Sequence, residues 1–194
     1  MIHFETGVLT ILLMLSWNHH ANADEAEYAS ILIQVKQCAV CHGENGATLQ
    51  PSIPILSGQH FYYLYVQLKD FKSGLRKNEI MGPIASQLEK PQMKLLARYF
   101  SEQDWPNLGY RADSAAEIQG ETATVAGLCV QCHLGGYEGD SRIPRLAGQH
   151  PEYLLSTMTD FKYKKRQNSA AKSSLFVTYD EDDIRAMSEY LAGK

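Results

Sequence analysis

The 194-residue chain has no long apolar run, no excess of one charge sign and few cysteines. The one stretch apolar enough to consider as a membrane span, Val8 to Trp17, is ten residues long. At about 1.5 Å per helical residue it is far too short for a bilayer core of about 30 Å, which excludes a polytopic membrane protein. Eighteen Lys and Arg stand against 22 Asp and Glu, a formal net charge of −4, so no basic footprint for nucleic acid exists. With 21% charged and 44% apolar residues, the chain is neither a disordered tail nor a collagen-like repeat. No stretch alternates polar and apolar residues for long enough to build a sheet.

The apolar run is followed by Asn18-His19-His20 and then Ala21-Asn22-Ala23, an Ala-x-Ala pattern with Asp24 and Glu25 after it. Residues 1–23 therefore read as a secretory signal cleaved before Asp24. One feature fits poorly: the segment before the apolar run carries Glu5 and no Lys or Arg. An uncleaved anchor is the alternative. Export ordinarily suggests disulfides for four cysteines, but their spacing argues otherwise.

The chain contains one unit twice. Ile53 to Asn78 matches Ile143 to Asn168 at a constant offset of 90, with 13 of 26 positions identical. Among the matches are Pro54/Pro144, Gln59/Gln149, His60/His150, Tyr63/Tyr153, Asp70/Asp160, Arg76/Arg166 and Asn78/Asn168. Upstream, Cys38-Ala39-Val40-Cys41-His42 pairs with Cys129-Val130-Gln131-Cys132-His133 at offset 91; downstream, Leu96, Tyr99 and Phe100 pair with Met187, Tyr190 and Leu191. Such a tandem duplication gives a first domain over residues 24–106, a linker over 107–112 and a second domain over 113–194. The join lies at the turn-rich Trp105-Pro106-Asn107-Leu108-Gly109. Each unit is small enough to need a staple or cofactor.

The pattern is helical throughout, an all-α fold. Glu25 to Gln37 and Ala115 to Leu128 read as short helices ending at each cysteine pair. Gln59 to Ser73 and Gln149 to Tyr163 carry apolar residues at helical spacing, such as Phe61, Leu64, Tyr65, Leu68 and Phe71. Pro91 suits the first turn of a helix running to Phe100. The acids Asp180 to Asp183 suit the positive end of its counterpart.

Cys-x-x-Cys-His, present once per unit, carries the chemistry. Cysteines three apart lie on one face of a helical turn and can form two thioethers to one haem, while the adjacent His points at the iron. A zinc site would need further ligands near each pair. A thioredoxin-like redox pair needs a βαβ context, and a disulfide framework would not place His after both second cysteines.

With these motifs the chain resembles the dihaem cytochrome c4 family, two class I cytochrome c units in tandem. The resemblance covers residues 25–192. It includes Ile-Pro-x-Leu-x-Gly-Gln-His, Tyr-Leu and Asp-Phe-Lys in both halves, and Arg76-x-Asn78-x-x-Met81-x-Pro83-Ile84-Ala85 in the first. It implies helices wrapping two covalently bound haem c groups. Cys38 and Cys41 would hold the first haem, with His42 proximal and Met81 distal; Cys129, Cys132 and His133 would serve the second. The carbonyls of Pro54 and Pro144 are the expected acceptors for the ring N–H of His42 and His133. The implied work is single-electron transfer in the bacterial periplasm between a donor and a terminal oxidase or reductase. The chain would act through redox protein partners, without nucleic acid, and meet the membrane only through partners or an uncleaved signal. The alternatives are an electron-accepting subunit of a haem oxidoreductase, or an oxidoreductase or gas-binding protein with an atypical second haem.

The second unit departs from the family at the distal position. Counting from the motif side places Ala171 opposite Met81; counting from the last helix places Lys172 there. Ala cannot ligate iron, whereas a deprotonated Lys172 can. Recruitment of Met158 or Met187, both expected in the core, and an open position are the other readings, while His150 matches His60, which has no ligand role in a unit with Met81. Arg76 and Arg166 suit either haem propionates or a solvated surface. Lys162, Lys164, Lys165 and Arg166 form a basic run, either a wet helix face or a steering patch for an acidic partner. Tyr63 and Tyr153 are expected in the core with their hydroxyls on a polar partner.

Overall fold

A computed structural model describes residues 27–194; the expected signal segment, residues 1–23, lies outside them. Among the described residues the regular structure is helical, and the one β-type pairing is an isolated bridge between Asp140 and Ile143. The first unit contains α1 (Leu32–His42), α2 (Phe61–Ser73), α3 (Met81–Ser86) and α4 (Lys90–Ser101). The second contains α5 (Ser114–Ala126), α6 (Val130–His133), α7 (Pro151–Lys162), α8 (Ala170–Phe176) and α9 (Glu181–Ala192).

The first cysteine motif lies inside a helix rather than after one. A 3₁₀ turn at Ala29–Ile31 leads into α1, which runs through Cys38 to His42 because no breaker stands before Gly43. In the second unit the same stretch is broken. Leu128 takes φ +52 between α5 and α6, and only a four-residue helix carries Cys132 and His133. The helices α3 and α8 lie in the two distal loops, where the sequence periodicity had shown no helix.

Local capping explains the other boundaries. Glu89 and Gln92 form a capping box at the start of α4, with Pro91 in its first turn. Asp180 accepts from Asp183 N at 2.8 Å at the start of α9.

Each unit has its own core. Tyr28, Ile31, Leu64, Met93, Leu96 and Phe100 fill the first; Leu154, Met158, Ile184, Met187, Tyr190 and Leu191 fill the second. In the second unit α5 packs along α9. Gly120 permits that approach, since a Cβ there would meet Ala186 O and Tyr190 Cβ at 2.4 Å.

The units dock through reciprocal contacts that repeat the internal duplication. Gln59 donates to Arg145 O at 3.0 Å and accepts from Arg145 N at 2.9 Å. Gln149 does the same to Ile55, at 3.2 and 3.0 Å. His60 Nε2 donates to Glu138 O at 2.8 Å, and His150 Nε2 to Thr48 O at 2.9 Å. Tyr63 N reaches Ser141 O, and Tyr153 N reaches Pro51 O, each at 3.1 Å. Residue i touching j' while j touches i' is the signature of a two-fold interface, here built within one chain. Trp105, between α4 and α5, lies beneath the Arg145 guanidinium, 4.8 Å from its ring centroid.

Candidate cofactor site

A single cavity of about 1340 Å³ runs through both units. It exceeds the roughly 300–1,000 Å³ of a pocket for one small ligand. Its walls include Cys38, Cys41, His42 and Met81 from the first unit and Cys129, Cys132, His133 and Lys172 from the second.

The two motif histidines have matching environments. His42 Nδ1 donates to Pro54 O at 2.9 Å, and His133 Nδ1 donates to Pro144 O at 2.9 Å. Burial holds His42 below the usual imidazole range, against the opposing pull of its carbonyl acceptor. Burial also brings His133 down to about 4, with the Lys172 charge adding to the effect and the Pro144 carbonyl opposing it. A neutral ring that donates through Nδ1 leaves the Nε2 lone pair free, which is the metal-ligating form. None of the four cysteines is paired in a disulfide. Burial pushes Cys38 up to about 11 and raises Cys129. Among the described residues no cluster of three His, Cys, Asp or Glu comes together as a metal site, so a zinc reading lacks its remaining ligands.

The distal loops differ. Asn78 Oδ1 accepts from Ile80 N at 3.0 Å and Met81 N at 2.8 Å, which pins half-buried Met81 at the start of α3. Lys172 is half-buried in α8, its Nζ 5.5 Å from the centroid of the Phe161 ring, while Ala171 is exposed. Burial, reinforced by the Arg166 guanidinium, draws the Lys172 ammonium down to about 8. Met158 and Met187 are 6% and 1% exposed and pack in the core cluster.

Several expectations are corrected. Arg166 is 6% exposed, and Arg76 donates to Tyr153 OH at 3.1 Å, so neither arginine is a solvated surface charge. Tyr63 and Tyr153 lie half-buried at the junction of the units rather than in either core, because their hydroxyls accept from the opposite unit's arginine. The basic run is not one wet helix face: α7 stops at Lys162, Lys162 donates to Tyr179 O, and Arg166 turns inward. Only Lys164 and Lys165 of the run are exposed. The docking roles of Gln59, Gln149, His60 and His150 went unread. Their signal was present, since polar residues recurring in both halves without a place in the motif suggest a shared partner.

No protein-family model matches the chain. Cytochrome c4 of Azotobacter vinelandii is 31% identical over 208 aligned positions, covering 96% of this chain and 98% of that protein. The chain belongs to the cytochrome c4 family. The crystal structure of reduced recombinant cytochrome c4 from Pseudomonas stutzeri superposes with a TM-score of 0.78 at 31% identity, over 88% of this chain and 97% of that one. A thiosulfate dehydrogenase electron acceptor of Stutzerimonas stutzeri is 30% identical over 168 positions, covering 80% of this chain and 77% of that protein. As a cytochrome c4 the chain is an electron-transfer c-type cytochrome of tandem cytochrome c units, and covalently bound haem c comes with the family.

The residues present fit that group. Each Cys-x-x-Cys pair and its neutral histidine line the cavity. Arg76 and Arg166 also line it, with no carboxylate oxygen of the described residues within 4 Å of either guanidinium. Buried cations without anions are costly, so such a cavity suits a ligand that brings its own carboxylates, as haem does.

Proposed function

We propose that this cytochrome c4 holds two haem c groups and passes single electrons between exported redox proteins in the periplasm, from a donor to a terminal oxidase or reductase. The observation that carries this reading is the pair of Cys-x-x-Cys-His motifs whose histidines donate to Pro54 and Pro144 and keep their other nitrogens free. Bound haem supplies a one-electron iron couple. Cys38 and Cys41 anchor the first group and Cys129 and Cys132 the second, in units spanning residues 24–106 and 113–194. Segment 1–23 serves as the export signal. His42 and His133 are the proximal ligands, and their prolyl acceptors set ring orientation and basicity.

Met81 is the distal ligand of the first unit, held by Asn78. Lys172 is the distal ligand of the second. Its support is its half-buried place on the cavity wall, and a pKa brought down to about 8 by burial and Arg166, which makes the free amine accessible. An amine in place of a thioether favours ferric iron, so the second haem has the lower potential.

Near-infrared magnetic circular dichroism of the oxidised protein tests this directly. One thioether-type and one amine-type signature are expected, and Lys172→Ala removes the amine-type signature alone. An unchanged second-haem spectrum in Lys172→Ala overturns the Lys172 assignment. Two thioether signatures in the parent protein instead point to Met158 or Met187. A second reading, an electron-accepting subunit of an oxidoreductase acting on a sulfur compound, is favoured by the similarity to the thiosulfate dehydrogenase electron acceptor. Co-purification with a catalytic haem partner supports it; carbon monoxide binding to a reduced second haem supports ligand binding instead.

A further inference from the structure

Each motif histidine is held by a peptide group whose other end is held by the opposite unit. His133 Nδ1 donates to Pro144 O at 2.9 Å. That carbonyl shares its peptide bond with Arg145 N, which donates to Gln59 Oε1 of the first unit at 2.9 Å. The first unit's histidine is served in the same way. His42 Nδ1 donates to Pro54 O at 2.9 Å, and Ile55 N of that same peptide donates to Gln149 Oε1 of the second unit at 3.0 Å. Two chains of hydrogen bonds therefore cross the junction in opposite directions. Each runs from a glutamine through one peptide to the histidine of the other unit.

The glutamine amides have no freedom to turn. Both residues are 3% exposed. Gln59 Nε2 donates to Arg145 O at 3.0 Å, and Gln149 Nε2 to Ile55 O at 3.2 Å. Each Oε1 also accepts from the backbone N–H of the next residue, His60 or His150, at 3.0 Å. One amide orientation meets all of these partners, and it turns the oxygen to Arg145 N or Ile55 N. A peptide is a resonant unit, so drawing on its N–H puts more negative charge on its carbonyl oxygen. Linked hydrogen bonds in a buried chain strengthen one another by about 10–30% per bond. The glutamine thus makes the prolyl carbonyl a better acceptor for the ring N–H, and the ring a more basic ligand. A more basic ligand favours ferric iron.

Resting on the reading above, in which His42 and His133 are the proximal ligands of two haems, we propose that Gln59 and Gln149 are positioning residues that act across the junction. Gln59 sets the ligand strength of His133, and Gln149 sets that of His42. Each unit lowers the reduction potential of the other unit's haem, and does so only while the two are docked.

The test is a spectroelectrochemical titration of the holoprotein, with the thioether band of Met81 marking the first haem. Nuclear magnetic resonance of the two ring Nδ1 protons in the reduced protein accompanies it. Gln59→Met keeps the length of the side chain and removes the acceptor. It is expected to raise the reduction equilibrium constant of the second haem about twofold, ~18 mV for one electron. The His133 Nδ1 proton should move to the position of a weaker hydrogen bond, while the first haem and His42 stay as they were. Gln149→Met is expected to do the converse, and it decides alone if Gln59→Met fails to fold. A lower melting temperature with both potentials unchanged overturns the inference and leaves the glutamines as docking contacts. Equal shifts at both haems, or a shift confined to the substituted unit, overturn it too, since they mark a general loosening or a local effect. A pyridine haemochrome showing one haem per chain in the unmutated protein would instead overturn the two-haem reading on which it rests.

Discussion

The two halves repeat the same asparagine and use it in opposite directions. Asn78 turns back on its own loop and accepts from the backbone of Ile80 and Met81. Asn168 turns outward across the junction, accepts from Arg166 Nε at 3.0 Å and donates to Gln67 and Asp70 of the other unit. The loop before α3 is therefore held by its own capping, while the loop before α8 is held by the neighbouring unit; Ser169, at the start of α8, makes no side-chain cap. A duplicated residue keeps its chemistry, but its partner depends on what its surroundings leave unsatisfied.

The cores differ by a paired exchange. Gly46 O accepts from Leu56 N and Ser57 N, as Tyr137 O does from Leu146 N and Ala147 N, so the two residues hold equivalent places. Both have positive φ, 84° at Gly46 and 57° at Tyr137. In the first unit a Cβ at Gly46 would meet Phe100 at 2.8 Å. In the second, Leu191 replaces that phenylalanine, and Tyr137 fills the space, stacked edge-on against Tyr190 and donating to Thr124 at 3.1 Å. Bulk has moved from the last helix to the loop after the motif.

Five variants sharpen this contrast. The largest effect is expected from Cys129→Ala with Cys132→Ala. The protein should lose one covalent haem by mass and haem staining, keeping the thioether-type signature of Met81. Loss of that signature in place of the amine-type one would reverse the assignment of ligands to units. Next, Tyr137→Ala empties a site where the residue is 4% exposed. Its unfolding free energy should fall by about 3–5 kcal/mol, the usual cost of truncating a buried aromatic. Gly46→Ala should destabilise the other unit by about 1–3 kcal/mol through strain at positive φ and the contact with Phe100. Denaturant unfolding followed at each haem's own band tells the two apart; equal losses in both units would mean the cores are not separate. The smallest effect belongs to Asn78→Ala, expected to cost about 1 kcal/mol as a lost cap. It should weaken the Met81 thioether band on mild heating, whereas Asn168→Ala should leave that band unchanged.

Much of the site was legible in the sequence because its parts are neighbours in the chain. Cys38, Cys41 and His42 lie within one helical turn and a half, and Pro54 and Pro144 follow each histidine by 12 and 11 positions. The helices α2, α4, α7 and α9 were visible from apolar spacing and end signals. Short α3 and α8 were not, because six or seven residues give too little periodicity to read. The break at Leu128 was hidden for a different reason. Leucine favours helix, and it adopts positive φ here where Gly127 is crowded by Tyr179, whose hydroxyl a Cβ would approach to 2.5 Å. Arg76, Arg166, Tyr63 and Tyr153 were noticed as repeats but not as partners.

The sequence by itself determined the duplication, the helical class and the two Cys-x-x-Cys-His motifs, since periodicity and ligand spacing are properties of short stretches of chain. Only the tertiary structure decided that the repeated glutamines, histidines, tyrosines and arginines join the halves, and that Lys172 turns towards the cavity. Those outcomes rest on contacts between residues such as Arg76 and Tyr153 or Tyr63 and Arg166, 77 and 103 positions apart. At that separation the partner of a buried polar group is chosen by how two packed surfaces dock, and no local pattern encodes it.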